Sequence, residues 1–399
     1  IFINNSSGNN FLVSGNTIGF ASASGSGIYS FISTANSVFE AITINTSISS
    51  ITNVQGNTIA GISMSGLQSG NFVNAPLKCI NVPAGQVYIG NVTGNTIGSM
   101  SSTGSITYSS SSATAGAVTA ISVDGTSNII VNNNTIGGIT ASNSASAPAN
   151  IWGIRSTITG PLTCQNNTIG GTVANSIQST GTSTSVIVNG IENSGRTSTI
   201  SSNMIRNLTA ASGTTAGGYA APVAGIMVNV LNYSQTISQN IIHSISNTDS
   251  SNATVTAGIY LNSTSLTNLV ERNFIHSLNA NSVSGSINGI YTNGGNVDYQ
   301  NNMIRLGIDG TGNSVPGCVI RGINEANGTN NFYFNSIYIG GTAASGSSKT
   351  FAFNSTVTAN TRRYIDNIFF NARSNAGGSG KHYAISAGGT APLPTGLIS

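Results

Sequence analysis

A short phrase, Asn-Thr-Ile, returns along the chain at intervals close to the length of one solenoid turn. Strict copies begin at Asn16, Asn57, Asn95, Asn134 and Asn167. Looser copies bring the total to 11 and begin at Asn203, Asn240, Asn273, Asn302, Asn335 and Asn367. Such a repeat cannot bury its apolar face alone, so this spacing predicts a solenoid in which successive repeats stack.

An aliphatic or aromatic anchor precedes each of these Asn residues by 12 to 15 positions, and successive anchors lie 30 to 41 residues apart. The surrounding segments, such as Val186-Ile187-Val188, are short, β-branched and alternating, and they show no apolar run at helical spacing. The pattern therefore indicates strands. The anchors are Ile3, Ile42, Ile80, Ile121, Ile154, Ile191, Ile226, Ile259, Ile290, Ile323, Phe353 and Ile385.

We predict an all-β fold, a right-handed parallel β-helix (β-solenoid) of about 12 coils over residues 1–399. Three strands are expected in each coil: one at the anchor, one through the Asn phrase and one five residues after the Asn, as at Ile62, Met100 and Ile139. Variable loops such as Phe20 to Phe39 should leave from one place in the repeat and lie on one side. The residue after each anchor should face outward, as at Arg155, Glu192, Met227, Tyr260 and Tyr291.

The repeated Asn is interpreted as structural. Asn side chains stacked inside a turn can hydrogen-bond one another and the bent backbone, whose polar groups the sheet cannot reach. Asn also tolerates the unusual backbone conformations that such a turn requires. The predicted ladder consists of Asn16, Asn57, Asn95, Asn134, Asn167, Asn203, Asn240, Asn273, Asn302, Asn335 and Asn367.

Charged residues make up only 5% of the chain, against about 25% in ordinary soluble domains. A surface of hydroxyl and amide groups suits a chain that associates or coats. The net charge of +3 is too small and too dispersed for a nucleic-acid footprint, and the sequence has no apolar run of membrane-spanning length. Cys79, Cys164 and Cys318 fall in different coils and show no metal-site spacing, so neither a metal nor a cofactor is predicted. Cys79 adjoins the anchor Ile80 and is expected to be a buried free thiol.

The N-x-I and G-I phrases resemble the right-handed parallel β-helix repeats of the pectate-lyase-like superfamily. The style of Asn133-Asn134-Thr135-Ile136-Gly137-Gly138 also resembles very large repeat proteins that Bacteroidetes-type bacteria secrete to the cell surface. The resemblance covers essentially the whole chain and implies an extracellular or cell-surface location. It does not select one function, because the superfamily includes lyases, hydrolases, adhesins and passive stalks.

Enzymes of the superfamily are typified by clusters of carboxylates or by calcium-binding acids with a basic residue. Breaking a glycosidic bond requires two carboxylates of different pKa, or a base with a charge-neutralising metal. The chain contains nine acids, and no two occupy equivalent positions in neighbouring coils. Catalysis is therefore not predicted, and no catalytic residue is assigned.

The third residue after each repeated Asn changes character along the chain. It is Gly or Ala in the first five copies and then becomes basic or aromatic, at Arg206, His243, His276, Arg305, Tyr338 and Phe370. On consecutive coils these six residues would form a stripe that could stack on a sugar or contact a partner. The alternative interpretation is a plain exposed strand end where any residue fits.

Two functional hypotheses follow. The first is a structural or adhesive extracellular solenoid, part of a stalk, sheath or filament, whose partners are copies or neighbouring segments of itself and surface glycans. The alternative is a carbohydrate-active enzyme or glycan-binding module that uses the stripe with Asp298, Arg305, Asp309 and Arg321. Ice binding is set aside because Thr-x-Thr pairs do not recur at one place in successive coils.

The ends of a solenoid expose unpaired strand edges, which natural arrays cover with a polar cap. Here the sequence opens on Ile1-Phe2-Ile3, at an anchor. We therefore expect these residues to be part of a longer chain or of an end-to-end assembly.

Overall fold

A computed structural model describes residues 1–8, 10–213, 221–264, 267–358, 360–388 and the backbone of 397–398. The fold is an all-β parallel β-solenoid of about 11 turns, with 55% strand and 1% helix. This confirms the predicted fold class, with about 11 turns where about 12 coils were predicted; right-handedness stays a prediction. The chain divides into two compact units. Unit 1 is Ile1–Ser198 with Asn203–Ala211, and unit 2 is Thr199–Ser202 with Ser212–Ser399.

Unit 1 is built from short strands and one 3-10 turn, Phe72–Asn74. The strands are β1 (Phe2–Asn5), β2 (Leu12–Ser14), β3 (Thr17–Gly19), β4 (Tyr29–Ser33), β5 (Phe39–Thr46), β6 (Ile51–Gln55), β7 (Thr58–Ala60), β8 (Ile62–Gly66), β9 (Leu77–Ala84), β10 (Gln86–Ile89), β11 (Thr96–Gly98), β12 (Ile106–Ser110), β13 (Gly116–Val123), β14 (Ile129–Asn132), β15 (Thr135–Gly137), β16 (Ile139–Asn143), β17 (Ala149–Ser156), β18 (Leu162–Gln165), β19 (Thr168–Ile169), β20 (Ile177–Ser179), β21 (Val188–Asn193), β22 (Ser198–Ser201), of which only Ser198 belongs to this unit, and β23 (Met204–Ala210).

Unit 2 contains the remaining strands of the described chain. They are β24 (Val223–Val230), β25 (Gln235–Ser238), β26 (Ile241–Asn247), β27 (Val255–Ser263), β28 (Asn268–Glu271), β29 (Phe274–Ala280), β30 (Ser286–Asn293), β31 (Val297–Gln300), β32 (Met303–Leu306), β33 (Val319–Asn327), β34 (Asn331–Tyr333), β35 (Ser336–Ile339), β36 (Thr342–Ala343), β37 (Thr350–Ser355), β38 (Arg362–Ile365), β39 (Ile368–Asn371), β40 (Ser374–Asn375), β41 (His382–Ser386) and β42 (Leu397–Ile398).

Equivalent strands of successive coils pair in parallel and form three long sheets within each unit, and β36 and β40 form a further two-stranded sheet in unit 2. The first sheet carries the anchors and runs β1-β5-β9-β13-β17-β21 in unit 1 and β24-β27-β30-β33-β37-β41 in unit 2. The strands of the second sheet come just before the repeated Asn in each coil. They are β2-β6-β10-β14-β18 in unit 1 and β25-β28-β31-β34-β38-β42 in unit 2. The strands of the third sheet come after the repeated Asn in each coil. They include β3-β7-β11-β15-β19-β23 in unit 1 and β26-β29-β32-β35-β39 in unit 2.

Within each unit the anchors from Ile42 to Phe353 align in register and form the core, whereas the predicted core anchor Ile385 is 55% exposed because it lies in the last strand of the first sheet. Ile121 pairs with Ile80 on one side and with Ile154 on the other, and all three are fully buried. In the third sheet Ile136 pairs with Ile97 and is equally buried. The first coil departs from the predicted register, because Ile3 pairs with Ile44 rather than with the anchor Ile42.

Most of the residues directly after the anchors, predicted to face outward, are not exposed to solvent. In unit 1 Arg155 is 5% exposed and Glu192 is fully buried, because the turn at Phe72–Asn74 packs over this face. In unit 2 Met227 and Tyr260 are buried in a small apolar cluster, with Tyr291 packed against it. Both faces of the first sheet are therefore covered.

The third strand of a coil is joined to the Asn strand by a sharp bend four residues after the Asn. Gly61 and Gly138 take positive φ at this position in unit 1, and Ser244 and Ser277 do so in unit 2. The prediction of a strand at Met100 was wrong: an insertion delays the strand of that coil until Ile106, which pairs with Ile62 and Ile139.

The long Ser/Gly-rich segments are not simple loops on one side. Phe20 to Phe39 contains β4, which pairs with β8, and Ser99 to Ala117 contains β12, which pairs with β8 and β16. Insertions therefore leave the repeat at two places, before and after the third strand, instead of at the single place that was expected.

Candidate functional site

The repeated Asn residues lie one above another at the turn between the second and third sheets. In unit 1 each donates its backbone N–H and side-chain Nδ2 to Oδ1 of the Asn in the next coil, from Asn16 to Asn203, over 2.8–3.1 Å. The same pattern joins Asn240 to Asn367 in unit 2. The structure thus brings these residues together as a continuous ladder within each unit.

Each ladder side chain except that of Asn16, which donates to Ser14 of its own coil, also reaches the backbone of the preceding coil. Asn134 Nδ2 donates to the carbonyl oxygen of Ile89 at 3.1 Å, and Asn273 Nδ2 donates to that of Ile237 at 2.9 Å. Both side chains are almost completely buried. Because buried polar groups require partners, the ladder satisfies turn groups that lie outside the sheet hydrogen bonds.

The predicted stripe residues of unit 2 lie in one registered column on the outward face of the third sheet. His243 pairs with His276, His276 with Arg305, Arg305 with Tyr338, and Tyr338 with Phe370. The two imidazole rings stack with centroids 4.8 Å apart, and the Tyr338 and Phe370 rings lie 5.8 Å apart. Phe370 is 57% exposed and Tyr338 is 38% exposed. Arg206 belongs to unit 1, where its Nε donates to the Gly170 carbonyl oxygen at 3.3 Å.

Backbone geometry explains why this position changes from small to large residues. In unit 1 Gly98 has a φ of +73°, and a Cβ there would lie 1.9 Å from the Gly137 carbonyl oxygen. Only glycine fits such an approach. In unit 2 the equivalent residues lie within regular strands, so a side chain can project outward. The sequence change therefore follows a change in local backbone.

A second column, which the sequence reasoning missed, lies beside the stripe. It occupies the position directly after each ladder Asn and contains Met303 and Ile368, which are 54% and 64% exposed. Together with Arg305, Tyr338 and Phe370 these side chains border a shallow open depression of about 360 Å³. We call the two columns the exposed strip: Ile241, Phe274, Met303, Ser336, Ile368, His243, His276, Arg305, Tyr338 and Phe370.

The residues of the alternative enzyme hypothesis are not brought together. Asp298 lies on the second sheet, where its Oδ1 accepts a hydrogen bond from Asn331. Arg305 lies on the third sheet, and Arg321 lies on the first. Asp309 accepts hydrogen bonds from the backbone N–H groups of Thr311 and Asn313, so it shapes its own loop. These positions do not form an acid–base pair around a common cleft.

Unit 1 contains a charged cluster that sequence reasoning also missed. Five of its seven charged residues lie on or at the end of adjacent strands of the first sheet, at Glu40, Lys78, Asp124, Arg155 and Glu192. Lys78 Nζ lies 3.0 Å from Glu40 Oε1, and Arg155 lies 3.8 Å from Asp124 and 3.4 Å from Glu192. Scattered in sequence, these charges are collected by the register of the coils.

The only tryptophan of the chain, Trp152, completes this cluster. Its Nε1 donates to Glu192 Oε2 at 2.5 Å, and its ring lies 5.5 Å from that of Phe72. The Arg155 guanidinium lies 5.2 Å from the Phe72 ring centroid. The cluster therefore attaches the turn at Phe72–Asn74 to the outer face of the first sheet, which is a structural role.

Burial changes the pKa of several groups near these features. Hydrogen bonds from Thr43, Lys78 and Asn81 and the charge of Lys78 outweigh desolvation and hold the pKa of Glu40 below its ordinary value. Burial raises the pKa of the thiols of Cys79, Cys164 and Cys318 to about 12. All three cysteines are buried and free, which confirms the prediction made for Cys79, and they are poor nucleophiles.

The stability of unit 2 should fall on acidification through His276. Desolvation, and then the nearby charge of Arg305, lower the pKa of this imidazole in the folded chain. The unfolded chain, with a histidine pKa of about 6.5, binds the proton more readily, so stability decreases as the pH falls from there through the lowered pKa. Thermal unfolding near neutral and near pH 5 should show a smaller difference for His276→Gln than for the parent chain. An unchanged difference would contradict this assignment.

A column of threonines is in register on the third sheet of unit 1, at Thr58, Thr96 and Thr135. It is a single column, because the next outward residue of each strand is Gly or Ala, as at Gly98 and Gly137. The paired Thr-x-Thr array of the ice-binding hypothesis is therefore not formed at this position.

Across the described parts of the chain, no group of three or more His, Cys, Asp or Glu residues is placed to hold a metal ion. No helix among these residues is long and apolar enough to cross a membrane. No protein-family model, curated protein or solved structure matches the chain. The parallel solenoid, the Asn ladders and the exposed strip are thus the features from which a function has to be inferred.

Proposed function

We propose that the chain is a structural or adhesive β-solenoid of an extracellular surface, forming part of a stalk, sheath or filament. The observation that carries this proposal is the Asn ladder. The most strictly repeated polar residues of the chain are buried and form hydrogen bonds to the Asn residues of neighbouring coils. The repeat therefore holds one coil to the next and builds an extended scaffold. A solenoid grows by adding coils whose contacts are local, which suits a spacer between a surface and its surroundings.

The scarcity of charge supports the same proposal. Only 5% of the residues are charged, and five of those in unit 1 are collected in one cluster. Most of the surface is left with hydroxyl and amide groups, which do not repel neighbouring copies. The separated positions of Asp298, Asp309 and Arg321 also favour a non-catalytic role.

The family relationship is part of the proposal. The N-x-I and G-I phrases favour the right-handed pectate-lyase-like superfamily, and the Ser/Thr/Asn/Gly-rich style of the repeats favours a surface protein of Bacteroidetes-type bacteria. The parallel strand pairing of each unit is compatible with that superfamily. Location at the cell surface follows from the same resemblance.

Immunogold electron microscopy of the native cells tests this role. Antibodies against the chain should label a surface layer, stalk or filament on intact, unpermeabilised cells. Cells that lack the gene provide the matched control and should show no label. Label confined to the cell interior, or recovered as a freely diffusing protein, would overturn the proposal.

A further inference from the structure

We propose that the exposed strip of unit 2 binds a linear, neutral glycan chain that lies along the stacking direction of the coils. This inference rests on the proposed function and names the ligand of its adhesive role. The strip presents exposed apolar and aromatic side chains at Met303, Tyr338, Ile368 and Phe370. Apolar surface bordered by polar side chains is one component of ligand-binding grooves.

The dimensions of the strip favour a polymer chain over a folded partner. Five coils in register at about 4.8 Å span about 19 Å, and a four-residue strand is about 13 Å wide. The resulting face of about 250 Å² is far below the roughly 800 Å² per partner that a stable protein interface buries. A single extended chain needs only such a narrow strip.

The chemistry of the strip fits sugar rings. The ring centroids of Tyr338 and Phe370 lie 5.8 Å apart with their planes tilted by 42°, so the two rings can each stack on the apolar face of a different pyranose of a twisted chain. Arg305 lies in register between His276 and Tyr338 and offers several N–H donors to hydroxyl oxygens. Polar donors beside an apolar surface are the usual composition of small-molecule sites.

The charge of the strip favours a neutral glycan. Arg305 is its only permanently charged side chain, and burial together with Arg305 lowers the pKa of His276, which keeps that ring neutral near pH 7. An acidic polymer would be recognised by several fixed cations, and its binding would weaken steeply with salt. Binding through stacking should change little with salt.

Isothermal titration and pull-down with the full chain test the inference. The probes are β-1,4-linked hexasaccharides of glucose, N-acetylglucosamine and mannose, the corresponding insoluble polymers, and polygalacturonate as the acidic comparison. We expect binding to at least one neutral polymer that persists in about 0.5 M salt. Tyr338→Ala with Phe370→Ala should weaken it at least about tenfold, since both aromatic faces that stack on the sugar rings are lost.

The matched control is Leu231→Ala, which removes a side chain that is 56% exposed and lies outside the strip; it should leave binding unchanged. Circular dichroism of each variant should match the parent chain. Binding to none of the neutral probes, binding only to polygalacturonate at low salt, or an effect of Leu231→Ala equal to that of the double variant would overturn the inference.

Sedimentation velocity separates this inference from self-association. A dimer that forms with rising concentration and disappears in the Tyr338→Ala, Phe370→Ala variant would show that a second copy covers the strip, and would overturn the inference. The proposed structural role would remain, because it is tested by location. Conversely, glycan binding by a protein found only inside cells would overturn the proposed extracellular role but would still support glycan binding by the strip.

Discussion

Replacing Arg155 by Ala should destabilise unit 1 by about 3–5 kcal/mol, because its removal leaves the fully buried Glu192 carboxylate, and the partly buried Asp124, without their counter-charge. Arg155 is 5% exposed and lies within 4 Å of both Asp124 and Glu192. The substitution also removes the guanidinium from the rings of Phe72 and Trp152. Trp152 is the only tryptophan, so urea unfolding followed by its fluorescence should show a lower midpoint.

Arg196→Ala is the matched control, since it removes an exposed arginine of the same unit. Its free energy of unfolding should stay within about 0.5 kcal/mol of the parent value. Combining Arg155→Met with Asp124→Asn and Glu192→Gln should recover part of the loss, because no uncompensated charge remains buried. An Arg155→Ala midpoint equal to that of Arg196→Ala would contradict the assigned role of the cluster.

Replacing Asn134 by Ala should cost about 3 kcal/mol or more, because it breaks the ladder of unit 1 at an inner coil. Its Oδ1 accepts from the N–H and Nδ2 of Asn95, and its own Nδ2 donates to Asn167 and to the Ile89 carbonyl oxygen. Each group left buried without a partner costs about 1–3 kcal/mol. The same urea titration measures the loss.

Thr135→Ala provides the comparison within the same repeat. Thr135 is half-buried, and its hydroxyl makes one weak contact of 3.4 Å with Thr96. Its unfolding midpoint should therefore remain close to that of the parent chain. If Asn134→Ala changed the unfolding midpoint as little as Thr135→Ala does, the ladder would not contribute to stability.

The fold could be predicted because solenoid coils repeat the same local requirements. Ile136 recurs because each coil needs an apolar residue at that point of the core, and Asn134 recurs because each turn needs its hydrogen bonds. Periodicity exposes both requirements directly in the sequence. The strand at Ile106 was missed because an insertion moved it away from its usual distance after the Asn.

The covered outer face of the first sheet could not be predicted from alternation. Alternation shows that Arg155 points away from the core, but it does not show that the turn at Phe72–Asn74 packs on that side. Glu192 and Arg155 lie in different repeats, and only the pairing register brings them within 3.4 Å. A sequence signal existed, because these few charges all fall near anchors in a chain that is otherwise nearly uncharged.

The chain is proposed to be a scaffold without catalytic activity, and a turnover assay tests this claim most directly. The full chain, at concentrations near those of the substrate, is incubated with a panel of neutral and acidic polysaccharides, and new reducing ends and unsaturated products are measured. We predict no product above that of a protein-free blank, either from the parent chain or from the Asp298→Ala, Asp309→Ala double variant. Turnover by the parent chain that this double variant abolishes would contradict the claim.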